Sequence, residues 1–144
     1  MTIETIVART DEQIQDALKI RTEVFVEEQQ ISQELEFDGL DDECFHFVSY
    51  DGGQPIAAGR LRTIDSTGKV QRICVRKDYR GKHIGNEIMH LIHQTAKENG
   101  IKQLVLNAQE SAIPFYEKLG YHISSEIFFE AGIPHAEMKF TINY

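Results

Sequence analysis

The chain of 144 residues contains no apolar run approaching the roughly 20 residues that a membrane span needs. Its opening, Met1 to Arg9, carries Glu4 and lacks the basic-then-apolar order of a signal peptide. A cytoplasmic protein with no membrane partner is therefore expected. Cysteine is scarce. Cys44 and Cys74 are the only two, too few for the disulfide framework of a small secreted domain. Cys74 lies in the apolar run Ile73-Cys74-Val75, where a buried structural thiol is expected rather than a nucleophile. Basic residues are outnumbered, 15 Lys and Arg against 23 Asp and Glu, for a net charge of -8. That balance sets nucleic acid aside as the main partner, because phosphate binding wants a basic face. No repeat, low-complexity tract or Pro/Ser-rich linker interrupts the chain, so residues 1–144 are expected to form one domain. His90 and His93 stand three apart on a helical pattern with no third ligand indicated, so they read as surface histidines and no metal is expected.

About two-fifths of the residues are apolar (41%), enough for a sizeable core. Their spacing predicts a strand over Ile3 to Ala8, then a helix opened by the capping box Thr10 to Gln13, with Ile14, Leu18 and Phe25 on its stripe and Ala17 and Arg21 beside it. A long acidic connection follows. Phe45 to Tyr50 and Pro55 to Ile64 read as a hairpin about Asp51-Gly52-Gly53, and Lys69 to Val75 as a strand after the turn Asp65 to Gly68. Ile84, Ile88, Leu91, Ile92 and Thr95 share one face of a helix that Gly100 stops. Ile101 to Leu106 looks like a strand buried on both faces. Ser111 to Leu119 is a short helix, and Tyr121 to Phe129 and His135 to Ile142 are the last strands, with Gly132-Ile133-Pro134 between them. Hairpins plus one strand-helix-strand crossover imply a mixed α/β sheet.

Two stretches carry chemistry. From Glu27 to Glu43 there are eight carboxylates and no Lys or Arg. This is either a solvated loop or a rim that attracts a cationic amine. From Val75 to Asn86 a strand ends, a basic loop bearing Gly81 and Gly85 follows, and the central helix begins. Unpaired N–H groups at a helix start, glycines that let a ligand come close, and the charges of Arg80 and Lys82 make a pyrophosphate-sized anion site. The loop is neither a Walker motif nor a Gly-x-Gly-x-x-Gly fingerprint. Its other reading is a tight strand-to-helix turn.

The turn resembles motif A of the GNAT superfamily of N-acetyltransferases, Arg/Gln-x-x-Gly-x-Gly/Ala, with Arg80 first and Gly85 last. Asn107 to Tyr121, which contains Phe115-Tyr116-Glu117-Lys118-Leu119-Gly120-Tyr121, is similar to the family's second motif. The runs Arg21 to Gln29, Glu36-Phe37-Asp38 with Asp41 and His46, and Gly132 to His135 with Met138 look like its ElaA/YjcF-like branch. The middle glycine of motif A is His83 here.

The resemblance implies a mixed, largely antiparallel central sheet flanked by helices, and acetyl-CoA as co-substrate. It implies direct attack of an amine on the thioester. The cofactor contacts would fall on Ile73, Cys74 and Val75, on Arg80, Gly81, Lys82, His83, Ile84, Gly85 and Asn86, and on Asn107 and Tyr116. Tyr116 matches the tyrosine that protonates the departing thiolate, its other reading being packing. His46, His135 and Glu28 are candidates for the general base. The acceptor is a small-molecule amine or a protein amine, and a homodimer stays open. The alternative function is a non-catalytic module that binds or senses acyl-CoA.

Overall fold

The structure, a computed structural model, describes residues 2–144. In chain order it holds β1 (Ile3–Val7), α1 (Asp11–Arg21), α2 (Gln33–Glu36), β2 (Cys44–Asp51), β3 (Gln54–Ile64), β4 (Thr67–Val75), α3 (Ile84–Glu98), β5 (Gln103–Gln109), α4 (Ile113–Lys118), β6 (His122–Ile123), β7 (Phe128–Glu130) and β8 (Ile133–Thr141). The sheet order is β1-β2-β3-β4-β5-β8-β6, with β7 also on β8. Every described pair is antiparallel except β4–β5, the crossover pair that α3 connects. The expected mixed, largely antiparallel α/β architecture is what forms.

The capping box at the start of α1 is present. Thr10 Oγ1 accepts from the Gln13 N–H (3.1 Å), and Gln13 Oε1 accepts from the Thr10 N–H (3.2 Å). The helix then widens into a π-helical stretch, Thr22–Glu28, a rare form that shifts the register of everything after it. The buried side runs through Ala17, Ile20, Arg21, Val24 and Phe25. Ile14 and Leu18, placed on the stripe by the sequence pattern, are only half-buried.

α3 covers one face of the sheet. Its Ile88, Met89 and Ile92 are fully buried against Phe47, Ile56, Leu61, Leu104 and Met138. Truncating one of these helix residues to Ala would cost about 2–5 kcal/mol. α1 and the π-helical stretch after it cover the opposite face through Ala17, Ile20 and Val24 over Val48, Ala58 and Cys74. Cys74 is thus buried, and burial pushes its thiol up to about 12, the inert structural role its apolar setting predicts.

Three expectations change. β5 is not buried on both faces: Leu104, Leu106 and Ala108 turn inward while Asn107 is exposed, because the second face borders a cleft. Tyr121 to Phe129 is not one strand. β6 and β7 pair separately with β8 (His122↔Lys139, Phe128↔His135), and polar Ser124-Ser125-Glu126 lies between them. The last turn is at Ala131-Gly132, both with positive φ (53° and 74°), as a two-residue hairpin requires. Ile133 and Pro134 already belong to β8. Among the described residues no helix is long and apolar enough to cross a membrane.

Candidate active site

β4 and β5 pair in register over Thr67↔Gln103, Gly68↔Leu104 and Lys69↔Val105 and no further. Beyond Lys69 the strands part, and a cleft of about 1240 Å³ opens between them. The Arg76 N–H donates to Ile56 O (2.8 Å). Since ladder bonds alternate along an antiparallel pair, the peptide edges of Val75 and Ile73 turn away from β3, toward the cleft. Val75 O confirms the direction by accepting from Arg80 Nε (2.9 Å) on that side.

One irregularity sits at the parting. β3 pairs Ala58 with Cys74 and Arg60 with Gln71, so Gly59 faces both Arg72 and Ile73, a β-bulge. Ile73 leans over Gly59, where an added Cβ would lie 2.6 Å from Ile73 Cδ1. Arg72 takes φ 62°, a left-handed conformation costing a non-glycine residue roughly 1–2 kcal/mol.

At the far end of β4, Lys77–Tyr79 makes one 3₁₀ turn. Gly81 and His83 are both left-handed (φ 78° and 63°), and α3 starts at Ile84. His83 is the N-cap residue and offers no capping side chain, so the N–H groups of Ile84, Gly85 and Asn86 are left for an anion. His83 holds the left-handed position where the GNAT motif has glycine. Its ring lies outward, with Nδ1 3.2 Å from Asn86 Nδ2. A Cβ at Gly85 would approach Phe115 Cζ to 3.3 Å, so this position has almost no spare room. Lys82 lies over the Tyr79 ring (5.7 Å).

The other wall carries Asn107 and Tyr116. Tyr116 is buried edge-on against Phe115 and Tyr121 (ring centroids 5.0 and 5.8 Å), and burial raises its phenol well above the ordinary value of 10. Tyr121 is tied in turn to His93 Nε2 (2.8 Å). This overturns the surface reading of His93: burial depresses it to about 4, and it sits neutral in the aromatic cluster.

The three base candidates separate. His135 borders the cleft and is buried. Its Nδ1 lies 2.7 Å from Ile133 O. A carbonyl only accepts, so in the neutral ring Nδ1 carries the proton and Nε2 is the lone-pair nitrogen, 3.6 Å from Glu130 Oε2. His46 does not border the cleft. It is buried with Nε2 2.9 Å from Asp41 O, and its Nδ1 has no partner. Glu28 grips Arg80 with both oxygens (2.7 and 2.6 Å), and that hydrogen bonding lowers its carboxyl further from a base's range. Arg80 is therefore engaged by protein at the turn.

Part of the acidic connection is tied to arginines, while Glu27, Glu34 and Asp42 stay exposed. Buried Arg21 donates to Glu36 (2.7 Å) and Asp41 (2.7 Å). Buried Arg60 holds Asp38 (2.6 Å) and Asp41 (2.8 Å), and Arg72 holds Glu36 (2.8 Å). Arg60 holds the Asp38 carboxyl down at about 2. The signal for this network was available. Arg60 interrupts the run Ile56-Ala57-Ala58-Gly59, and an arginine there must find carboxylates inside the protein.

Residues 8–142 match the acetyltransferase (GNAT) domain family. The chain belongs to the GNAT acetyltransferases. Within GNAT it is similar to the uncharacterized N-acetyltransferase YjcF of Bacillus subtilis (strain 168), 44% identical over 137 residues, which are 94% of this chain and 98% of that protein. It is 28% identical to protein ElaA of Escherichia coli (strain K12), over 88% of this chain and 86% of that one. The ElaA crystal structure superposes with a TM-score of 0.83, covering 96% of this chain and 97% of ElaA. These place the chain in the ElaA/YjcF-like branch. The GNAT fold is also shared with an aminoglycoside 6'-N-acetyltransferase complexed with coenzyme A, at 14% identity and a TM-score of 0.76, over 98% and 97% of the two chains.

Proposed function

We propose that this acetyltransferase moves an acetyl group from acetyl-CoA to a primary amine by direct attack. One observation carries the reading: an uncapped helix start, an open strand edge and a tyrosine all border the cleft where β4 leaves β5. The residues fit the cofactor. The N–H groups of Ile84, Gly85 and Asn86, with Gly81 and Lys82, would hold the diphosphate at the positive end of α3. Arg80 would join them by exchanging its exposed pairing with Glu28. The edge of β4 at Ile73 and Val75 would hold the pantetheine arm, above the buried Cys74, and Asn107 would face it from β5. The coenzyme A bound to the aminoglycoside acetyltransferase supports this donor class.

The thioester supplies an acyl carbon open to nucleophiles. His135 Nε2 takes the proton of the incoming amine, the role its fixed tautomer leaves available. The Val75 N–H polarises the acyl oxygen, a fixed donor requiring no reorganisation. Tyr116 donates to the departing sulfur. Its raised pKa keeps the phenol protonated and makes its aid a hydrogen bond more than a full transfer. The C–N bond forms as the C–S bond breaks, giving amide and CoA.

The test is CoA release from acetyl-CoA across a panel of small amines and amine-bearing peptides, with acetyl-CoA binding measured by calorimetry. Binding with turnover of at least one amine is expected. Binding without turnover across the panel would leave the acyl-CoA-sensing module, and no binding would overturn both.

A further inference from the structure

Arg72 stands at the one irregular point of β4, opposite Gly59 and directly before Ile73. Its backbone is left-handed, where glycine is the ordinary choice. The side chain borders the cleft and reaches across it to α2. Nε meets Glu36 Oε2 at 2.8 Å, and Nη2 donates to Leu35 O and Glu36 O, both 3.2 Å. Glu36 is itself buried and fixed by Arg21 from α1. A continuous chain of charge-assisted bonds thus runs from α1 through α2 to the bulge. None of the acyl-transfer steps proposed above uses the guanidinium. Its bonds go to the backbone and carboxylate of α2, with the Asp38 carboxylate 3.6 Å from Nη2.

We propose that Arg72 is a positioning residue. Its clamp on α2 holds the β4 bulge in the left-handed form that presents the Ile73 and Val75 edge to the acyl group. The strain at residue 72 is tolerated because the guanidinium is tied down. Without the clamp, a residue bearing a Cβ relaxes toward negative φ, rotates the following peptide and misaims the donors. α2, which also borders the cleft through Leu35, is in this way coupled to the donor side. The proposal rests on the acyl-transfer reading for its kinetic arm only.

Three substitutions separate the role from ordinary packing. Arg72→Ala and Arg72→Met keep a Cβ and lose the clamp, and Met keeps most of the stem. Arg72→Gly loses the clamp and the strain together. With an accepted amine, Ala and Met should lower kcat about tenfold or more with acetyl-CoA affinity within about threefold, whereas Gly should recover to within about threefold of the wild type. A residue serving only to stabilise the fold gives the reverse order, since glycine is the most disruptive of the three in a strand. In parallel, the amide resonances of Ile73 and Val75 should shift on adding acetyl-CoA in the wild type and Arg72→Gly, and should lose that response in Arg72→Met. If Arg72→Ala does not fold, Arg72→Met against Arg72→Gly decides. Gly no better than Met in both kcat and the amide response overturns the proposal. Retained amide behaviour without turnover of any amine instead keeps the clamp and removes the acyl-transfer reading.

Discussion

Two stretches flank the cleft and dispose of their polar groups in opposite ways. Residues 76–86 end a strand and begin α3 with the first N–H groups uncapped, so donors remain for something outside the protein. Residues 27–43 carry eight carboxylates, yet Glu36, Asp38 and Asp41 are held by arginines from α1, β3 and β4. Charge density along a chain is therefore a poor guide to a site. What matters is whether the fold brings counter-charges to meet it. Glu28 marks the boundary between the two, since it pairs with Arg80 across them through an exposed contact.

The largest effect should come from breaking the paired stretch. Glu36→Ala leaves buried Arg21 with Asp41 alone and strips Arg72 of its 2.8 Å carboxylate partner, and should cost about 3 kcal/mol, while Glu34→Ala, at an exposed position, should stay within about 0.5 kcal/mol. Urea unfolding of the two variants checks this. Equal losses would mean that the segment is held by something other than its charge pairs.

Breaking the open stretch should abolish binding while sparing the fold. Gly85→Asp presses a side chain toward Phe115, with 3.3 Å available to its Cβ, and sets a carboxylate at the anion site. Calorimetry should show acetyl-CoA affinity reduced by at least about 100-fold, or roughly 2.7 kcal/mol. Unchanged affinity would move the diphosphate elsewhere.

Tyr116→Phe tests the far wall. The phenol's raised pKa places its help below the 10²–10⁴-fold of a full acid catalyst, so kcat should fall about tenfold. Acetyl-CoA affinity should hardly change. A variant as active as the wild type would reduce Tyr116 to packing.

A smaller effect concerns Asp38. Its folded pKa of about 2 lies below its ordinary 3.8, so the stability it contributes is present above pH 3.8 and lost as pH falls toward 2, about 1 kcal/mol once solvent screening of this exposed carboxylate is counted. Asp38→Asn should flatten the stability profile across that window and leave its slope above pH 5 unchanged. Finally, because Glu36, Asp38 and Asp41 are already held by arginines, KM for an amine should vary less than about twofold between about 0.05 and 1 M salt. A steep rise with salt would restore the rim as a device for attracting cations.

Local patterns made much of the fold legible. The 3.6-residue spacing of Ile84, Ile88 and Ile92 located α3 and its buried face, and Thr10 with Gln13 located the start of α1, because caps and amphipathic stripes depend on neighbours within one or two turns. The strand-to-helix turn at 80–86 was legible for the same reason. The π-helix at 22–28 was not, since α- and π-helices draw on the same residue types and the choice follows from what packs beside them. The split of Tyr121 to Phe129 into β6 and β7 depended on pairing with β8. His93 looked like a surface residue until Tyr121 and Phe140, distant in sequence, closed over it.

By itself, then, the sequence determined most of the elements, their order and the strand-to-helix turn at residues 80–86, all of which rest on contacts within about a dozen residues. Only the tertiary structure decided where β4 and β5 part, that His135 rather than His46 borders the resulting cleft, and that Glu36, Asp38 and Asp41 of the acidic stretch pair with arginines. Each of these depends on which groups meet across long separations: Arg21 with Glu36, Arg60 with Asp38, Arg72 with α2. An unpaired charge and a paired one are spelled alike along the chain. They differ once burial has made an unpaired charge costly enough that its partner must be found.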